Sequence, residues 1–212
     1  KDAIAIGVGT TVAGSNAVAL GSSATASHAN SIAIGNKTKA NQTNAIAIGN
    51  GSAALGDRDV IIGTNTIGPA DGLSSSAAVG IGSNIQFDAT SKNGRIEAVA
   101  VGEGVKVQDY GTGLGAQAVA AINSTAVGTY AKANGVGSMA LGSGNNSTGE
   151  NPTVAAAKDS IAIGNNAQTA VGAIGSIALG VNATATVSNS VALGFASTTT
   201  AANATNITGT AG

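Results

Sequence analysis

A single histidine, His28, limits the acid–base chemistry that this 212-residue chain can assemble. A Ser–His–Asp relay would have to pass through that one imidazole, which sits between Ser27 and Asn30 among turn-forming residues and reads as a solvated turn histidine. Without cysteine there is no thiolate nucleophile, no disulfide and no Cys-based zinc site, and one histidine cannot build a His-rich metal cluster. The glycine pairs Gly7/Gly9, Gly80/Gly82 and Gly102/Gly104 look like the start of phosphate loops. None continues as G-x-G-x-x-G into a helix, and in a chain with 32 glycines they read as turn punctuation. The Asp-bearing G-G-x-G-x-D nonapeptide of calcium-binding solenoids does not occur. Asn-x-Ser/Thr triplets at Asn41, Asn123, Asn146, Asn182 and Asn203 arise readily in this composition. The sequence therefore nominates no catalytic residue, no cofactor and no metal ligand, and we expect no enzyme.

Binding chemistry is bounded as well. Nine Lys and Arg against ten Asp and Glu give a net charge of -1, which excludes a phosphate-neutralising surface and makes nucleic acid an unexpected partner. Low charge also argues against ordinary disorder. No run of some 18 apolar residues exists, so direct membrane insertion by a helix is not expected. The chain opens on Lys1 with no basic and apolar leader, which we read as the start of a fragment.

What positions the remaining side chains is a repeat. The pentad Ala/Ser, Ile/Val, Ala, Ile/Leu, Gly closes at Gly7, Gly21, Gly35 and Gly49, 14 residues apart, and a looser copy closes at Gly63. Later closures at Gly82, Gly102, Gly115, Gly128, Gly142, Gly164, Gly180 and Gly194 follow at intervals of 19, 20, 13, 13, 14, 22, 16 and 14. Large residues at i and i+2 have the period of a strand with one buried face. A second alternating stretch lies between pentads, as in Ser23-Ala24-Thr25-Ala26 and Asn182-Ala183-Thr184-Ala185. Fourteen residues thus accommodate two short strands and two turns, one coil of an all-β parallel β-solenoid. We expect the large pentad residues to point inward against Ala of the second strand. The pentad alanines Ala5, Ala19, Ala33, Ala47, Ala162, Ala178 and Ala192 would then form an outward strip buried between subunits.

The units Asn30-Ser31-Ile32-Ala33-Ile34-Gly35 and Asn189-Ser190-Val191-Ala192-Leu193-Gly194, each followed by Ala-x-Ala or a variant of it, carry a resemblance. From about Asp2 to Thr199 the chain resembles the YadA-like head domains of trimeric autotransporter adhesins. The resemblance implies a left-handed parallel β-roll of about 14 residues per coil assembled as a homotrimer. It also implies a place on the cell surface, in the extracellular passenger portion of an outer-membrane protein of a Gram-negative bacterium. Host extracellular-matrix proteins such as collagen, laminin or fibronectin are the partners it suggests, besides the chain itself. Carried over onto matching positions, it nominates Asn30, Ser31, Asn189 and Ser190 as ligand-binding. No neck motif follows Gly194 and no coiled-coil stalk or anchoring barrel is present, so a sequence that stops inside or just after the head is expected.

Departures from the repeat locate the expected loops. Residues 1–199 read as the head, with insertions near 64–76, 85–97 and 143–158, and residues 200–212 as a Thr/Ala/Gly-rich tail or the start of a connector. Eleven of the 19 charged residues lie between Asp57 and Asp109, with Phe87 and Tyr110 beside them. Such a segment is either a ligand surface on loops or a set of intersubunit ion pairs, and we favour the second. Arg58, flanked by Asp57 and Asp59, is the best candidate for an inter-chain pair, alongside Ala33, Ala47, Ala178 and Ala192 as subunit contacts. The expected function is multivalent, non-catalytic attachment to host cells or extracellular matrix, with a structural spacer of a surface fibre as the alternative. A left-handed hexapeptide acyltransferase is disfavoured because 14 is not a multiple of six. An ice-binding solenoid is disfavoured because Thr-x-Thr does not recur at one phase.

Overall fold

The computed structural model describes residues 2–69, 77–88, 97–144 and 151–201. The centres of the expected insertions, residues 70–76, 89–96 and 145–150, lie outside the described residues, as do Asp71, Lys92 and Arg95. The described residues are all-β, and each pentad makes one short parallel strand per coil. The chain divides into two compact units, Lys1–Ala118 and Val119–Gly212.

In the first unit the pentad strands run from Ile4–Ile6 through Val18–Leu20, Ile32–Ile34, Ile46–Ile48, Val60–Thr64, Val79–Ser83 and Val99–Val101 to Thr112–Leu114. Each is parallel to the next and in register, so that Ala19 faces Ala33 and Ala33 faces Ala47 along the ladder. The intervening strands Thr11–Val12, Thr25–Ala26, Lys39–Ala40 and Ala53–Ala54 form the opposite wall. Isolated bridges carry that wall through Ile67 to Gln86, where Gln86–Asp88 pairs with Lys106–Gln108. The second unit repeats the plan, with Thr125–Val127, Met139–Leu141, Ile161–Ile163, Ile177–Leu179 and Val191–Leu193 on one wall. Strands from Val119–Ala120 to Thr198–Thr199 make the other.

The period of the pentad is as expected, but its phase is the reverse. Ala19, Ala33, Ala47, Ala162 and Ala178 are fully buried and Ala192 nearly so, packed in the interior against alanines of the second strand such as Ala26 and Ala40. The large residues point out: Leu20 is 41% exposed, Leu141 40% and Leu193 68%. Of the pentad alanines expected outside, only Ala5, in the first coil, is exposed. The physical reason is room, since a 14-residue coil with short turns has no space between its walls for two layers of large side chains. Where one interior residue is large, a glycine gives way to it. A Cβ on Gly113 would stand 2.6 Å from Cγ1 of buried Val105 and 2.9 Å from that of Val107. One on Gly80 would meet the Phe87 ring at 3.0 Å, and one on Gly68 would meet Cδ1 of Ile61 at 3.3 Å.

Many polar groups are satisfied between coils, although among the described residues both carboxylate oxygens of buried Asp109 and the hydroxyls of Ser138 and Ser176 lack a hydrogen-bond partner. The hydroxyl that opens the second strand donates to the pentad-closing carbonyl of the following coil, as in Thr10 to Gly21 at 2.8 Å, Thr38 to Gly49 at 2.5 Å and Thr153 to Gly164 at 2.6 Å. At the corner before each pentad, Asn16, Asn30 and Asn44 adopt the left-handed conformation that Asn tolerates. Their amides stack, Nδ2 of Asn16 donating to Oδ1 of Asn30 at 3.4 Å and Nδ2 of Asn30 to Oδ1 of Asn44 at 3.1 Å.

Two glycines separate stacking from mere flexibility. Gly35 has φ +131° and a Cβ there would lie 2.4 Å from the carbonyl oxygen of Gly49, whereas Gly172 has no atom within 4 Å of its added Cβ. Gly35→Ala should cost about 2 kcal/mol or more. Gly172→Ala should be neutral or stabilise by up to about 1 kcal/mol. Denaturant unfolding of both variants checks the contrast.

Candidate functional site

Surface chemistry follows from which repeat positions the coil turns outward. The pentad wall presents two aliphatic columns. One runs Val18, Ile32, Ile46 and Val60, the other Leu20, Ile34, Ile48 and Ile62, and all of these residues are half-buried or exposed. In the second unit Ile161, Ile177 and Val191 continue the pattern, beside Ile163, Leu179 and Leu193. A contiguous apolar face of this kind marks an association surface. The sequence reading placed the sheet correctly and missed this face because it had the pentad turned inside out; alanine in both strands was the available signal that the interior is narrow.

The nominated ligand residues separate into two groups. Asn30 and Asn189 are exposed at their corners. Ser31 and Ser190 are buried, and their hydroxyls donate to the carbonyls of His28 at 2.6 Å and Val187 at 2.5 Å; Ser190 also meets the Thr199 hydroxyl at 2.9 Å. These two serines close the corner of their own coil, so a ligand cannot reach them. The same correction applies to Ala33, Ala47, Ala178 and Ala192, which are covered by their own chain and cannot touch a partner.

The charged trio splits too. Asp59 occupies the first pentad position, which points inward, and is fully buried. Its carboxylate accepts from the Gly56 N–H at 2.8 Å and the Ala78 N–H at 2.9 Å, joining its own coil to the next. An inter-chain role for Asp59 is therefore replaced by an internal one. Arg58 is exposed at the left-handed corner with φ 62°, where earlier coils carry Asn, and Asp57 is half-buried beside it. Among the described residues the ion pair within the chain is Lys158 with Asp159 at 3.6 Å, both largely exposed.

His28 is exposed. Among the described residues no three His, Cys, Asp or Glu side chains converge as metal ligands, and no helix is long and apolar enough to cross a membrane. An open groove of about 420 Å³ in the first unit is lined by Asn65, Asn84, Gln86, Ile67 and Phe87 among others, none of them titratable. Taken together, the described surface offers amide ladders, scattered hydroxyls and aliphatic columns, groups that can contribute to binding.

The family comparison agrees with this repeat. A family model described as the YadA head domain repeat matches residues 1–24, 13–38, 26–52, 40–66, 120–145, 153–167, 172–197 and 188–205, more than half of the chain in total. No curated protein matches. Two chains of solved structures match. One is the crystal structure of the collagen-binding domain of the Yersinia adhesin YadA, 22% identical over 89% of this chain and 78% of that chain, with a TM-score of 0.37.

The contrast between Asp59 and its neighbour is testable. Asp59→Ala strands two buried N–H groups and should cost about 2–4 kcal/mol. Arg58→Asn, at a corner where Asn is the usual residue, should change stability by no more than about 0.5 kcal/mol. Equilibrium unfolding in urea measures both.

Proposed function

The chain belongs to the YadA head domain repeat family, and from that premise we propose that it is an adhesin head, attaching a bacterium to host cells or extracellular matrix without catalysis. Its setting on this reading is the surface of a Gram-negative cell, as the passenger part of an outer-membrane protein. Its partners are further copies of itself, assembled as a trimer, and matrix proteins, with collagen first and laminin and fibronectin as further candidates. The observation that carries the reading is repetition in register. One set of corner amides, typified by Asn16, Asn30 and Asn44, recurs coil after coil on a rigid scaffold. Each contact with a repetitive ligand such as a collagen fibre is weak. A second coil that is held in place binds at a high effective concentration, so avidity grows without a pocket.

Self-association supports the same reading through the aliphatic columns. Leaving them in water is costly, and covering them with the same columns of other copies brings equal coils to one height and multiplies the ligand array. Arg58 and Asp57 remain proposed contributors to that assembly.

Two measurements test the proposal. Light scattering should give about three times the chain mass, and Ile34→Glu together with Ile163→Glu should reduce it to one chain with the far-ultraviolet spectrum retained, since those positions point out of the coil. On immobilised collagen, laminin and fibronectin, chains arrayed on beads should bind at least one surface about 100-fold more tightly than the dissociated variant. Absence of binding to all three by arrayed wild type would remove the adhesin reading for this segment and leave the spacer.

A further inference from the structure

We propose that Thr112 and Thr125 are register keys that set which coil of one copy lies level with which coil of another; this rests on the reading that the aliphatic face is covered by further copies. In the first unit the outward column that starts at Ile4 runs through Val60, Val79 and Val99 to Thr112, and every described member before Thr112 is Ile or Val. In the second unit the matching column reads Thr125, Met139, Ile161, Ile177 and Val191. Each unit therefore carries one hydroxyl in an otherwise aliphatic column.

Packing does not ask for threonine there. Val has the same shape and a comparable preference for strands, and it fills the equivalent position in several other coils. Both threonines are half-buried, and among the described residues neither hydroxyl has a hydrogen-bond partner within the chain. In a single chain, water serves them. Once another copy covers the face that water is lost, and an unpaired hydroxyl in an apolar contact is penalised. In an assembly of level copies, the hydroxyls of equivalent threonines meet one another and pair. A slip of one coil sets Thr112 of one copy against Val99 of another and Thr125 of that other against Met139 of the first, and a hydroxyl is left unpaired at each of these two contacts. The aliphatic members, being near-identical from coil to coil, do not discriminate between these registers, so the threonines decide. This is specificity obtained by penalising the wrong arrangement.

The test uses the full chain labelled at isoleucine δ1 methyls, with light scattering alongside. Level copies give one methyl resonance per isoleucine in the wild type. In T112V/T125V the association persists and its melting temperature is equal or higher. Slipped species, below detection in the wild type, rise about tenfold and add second resonances for outward isoleucines such as Ile48 and Ile177. T112S/T125S keeps the hydroxyls and should keep the single set. An associated valine variant with a single set overturns the proposal, as do doubled resonances in the serine variant or in the wild type. A wild type with the mass of one chain removes the self-association reading, and the register proposal falls with it.

Discussion

Pentad glycines such as Gly21, Gly35 and Gly180 leave, in place of a Cβ, the space into which the next coil's carbonyl fits. A methyl group on Gly21 or Gly35 would stand 2.4 Å from the carbonyl oxygen of the following pentad glycine, and the same distance recurs at Gly180 against Gly194. Contact this close lets the strands lie directly on one another, with Ile32 level with Val18 and Ile46 and no stagger to accumulate. Strict register then turns every repeat position into a column. The carbonyl that claims the Cβ space also accepts the hydroxyl of the second strand, as Gly49 does from Thr38, so one contact serves both spacing and polar satisfaction. Because coils meet there at the closest approach, the turn on either side stays short, and short turns hold the walls near each other. Alanine inside and isoleucine outside is the consequence.

The coils that break the alanine rule show that the interior has a fixed volume rather than a fixed composition. Ile61 and Gly68 share one coil, Gly80 and Phe87 the next, and Gly113 sits against Val105 and Val107. In each case a large side chain is accommodated by a facing glycine. Asp59 enters at the same stretch by replacing the small residue that usually opens the pentad, and it survives burial because its carboxylate takes the N–H groups of Gly56 and Ala78. Gly68, Gly80 and Phe87 fall within the 19- and 20-residue intervals, with Asp59 and Ile61 just before them and Val105, Val107 and Gly113 in the 13-residue interval that follows, so the core departs from alanine in and beside the stretch that carries two of the insertions.

Period and phase were not equally legible in the sequence. The glycine spacing set the coil length, and alternating stretches between pentads such as Ser23-Ala24-Thr25-Ala26 marked the second strand, because both depend on local geometry. Phase depended on the distance between walls, a tertiary quantity that no single pentad records. Alternation of Ile and Ala is compatible with either face inward, and the usual preference for burying the larger residue chose the wrong one. Ser31 and Ser190 were nominated through the resemblance alone, whereas the first pentad position points inward and the hydroxyl donates to the carbonyl three residues earlier. Asn30 and Asn189, nominated through the same resemblance, lie exposed at corners where both adopt the left-handed conformation.

Inverting the pentad changes what the repeat means for binding. Had the alanines faced out, the outer sheet would have been smooth and chemically mute. With isoleucine, valine and leucine outside, the chain presents aliphatic columns to solvent, which on the proposed reading are covered by further copies. On that reading the corners and the second wall remain for ligands. Those positions are polar, nearly uncharged and repeated, and their amides already bond to one another, which lowers the entropy they lose on contact. Rigid weak sites at constant spacing recognise a ligand by its own periodicity, and a solenoid whose coils cannot shift against one another because of a glycine–carbonyl contact is a scaffold on which such spacing is kept.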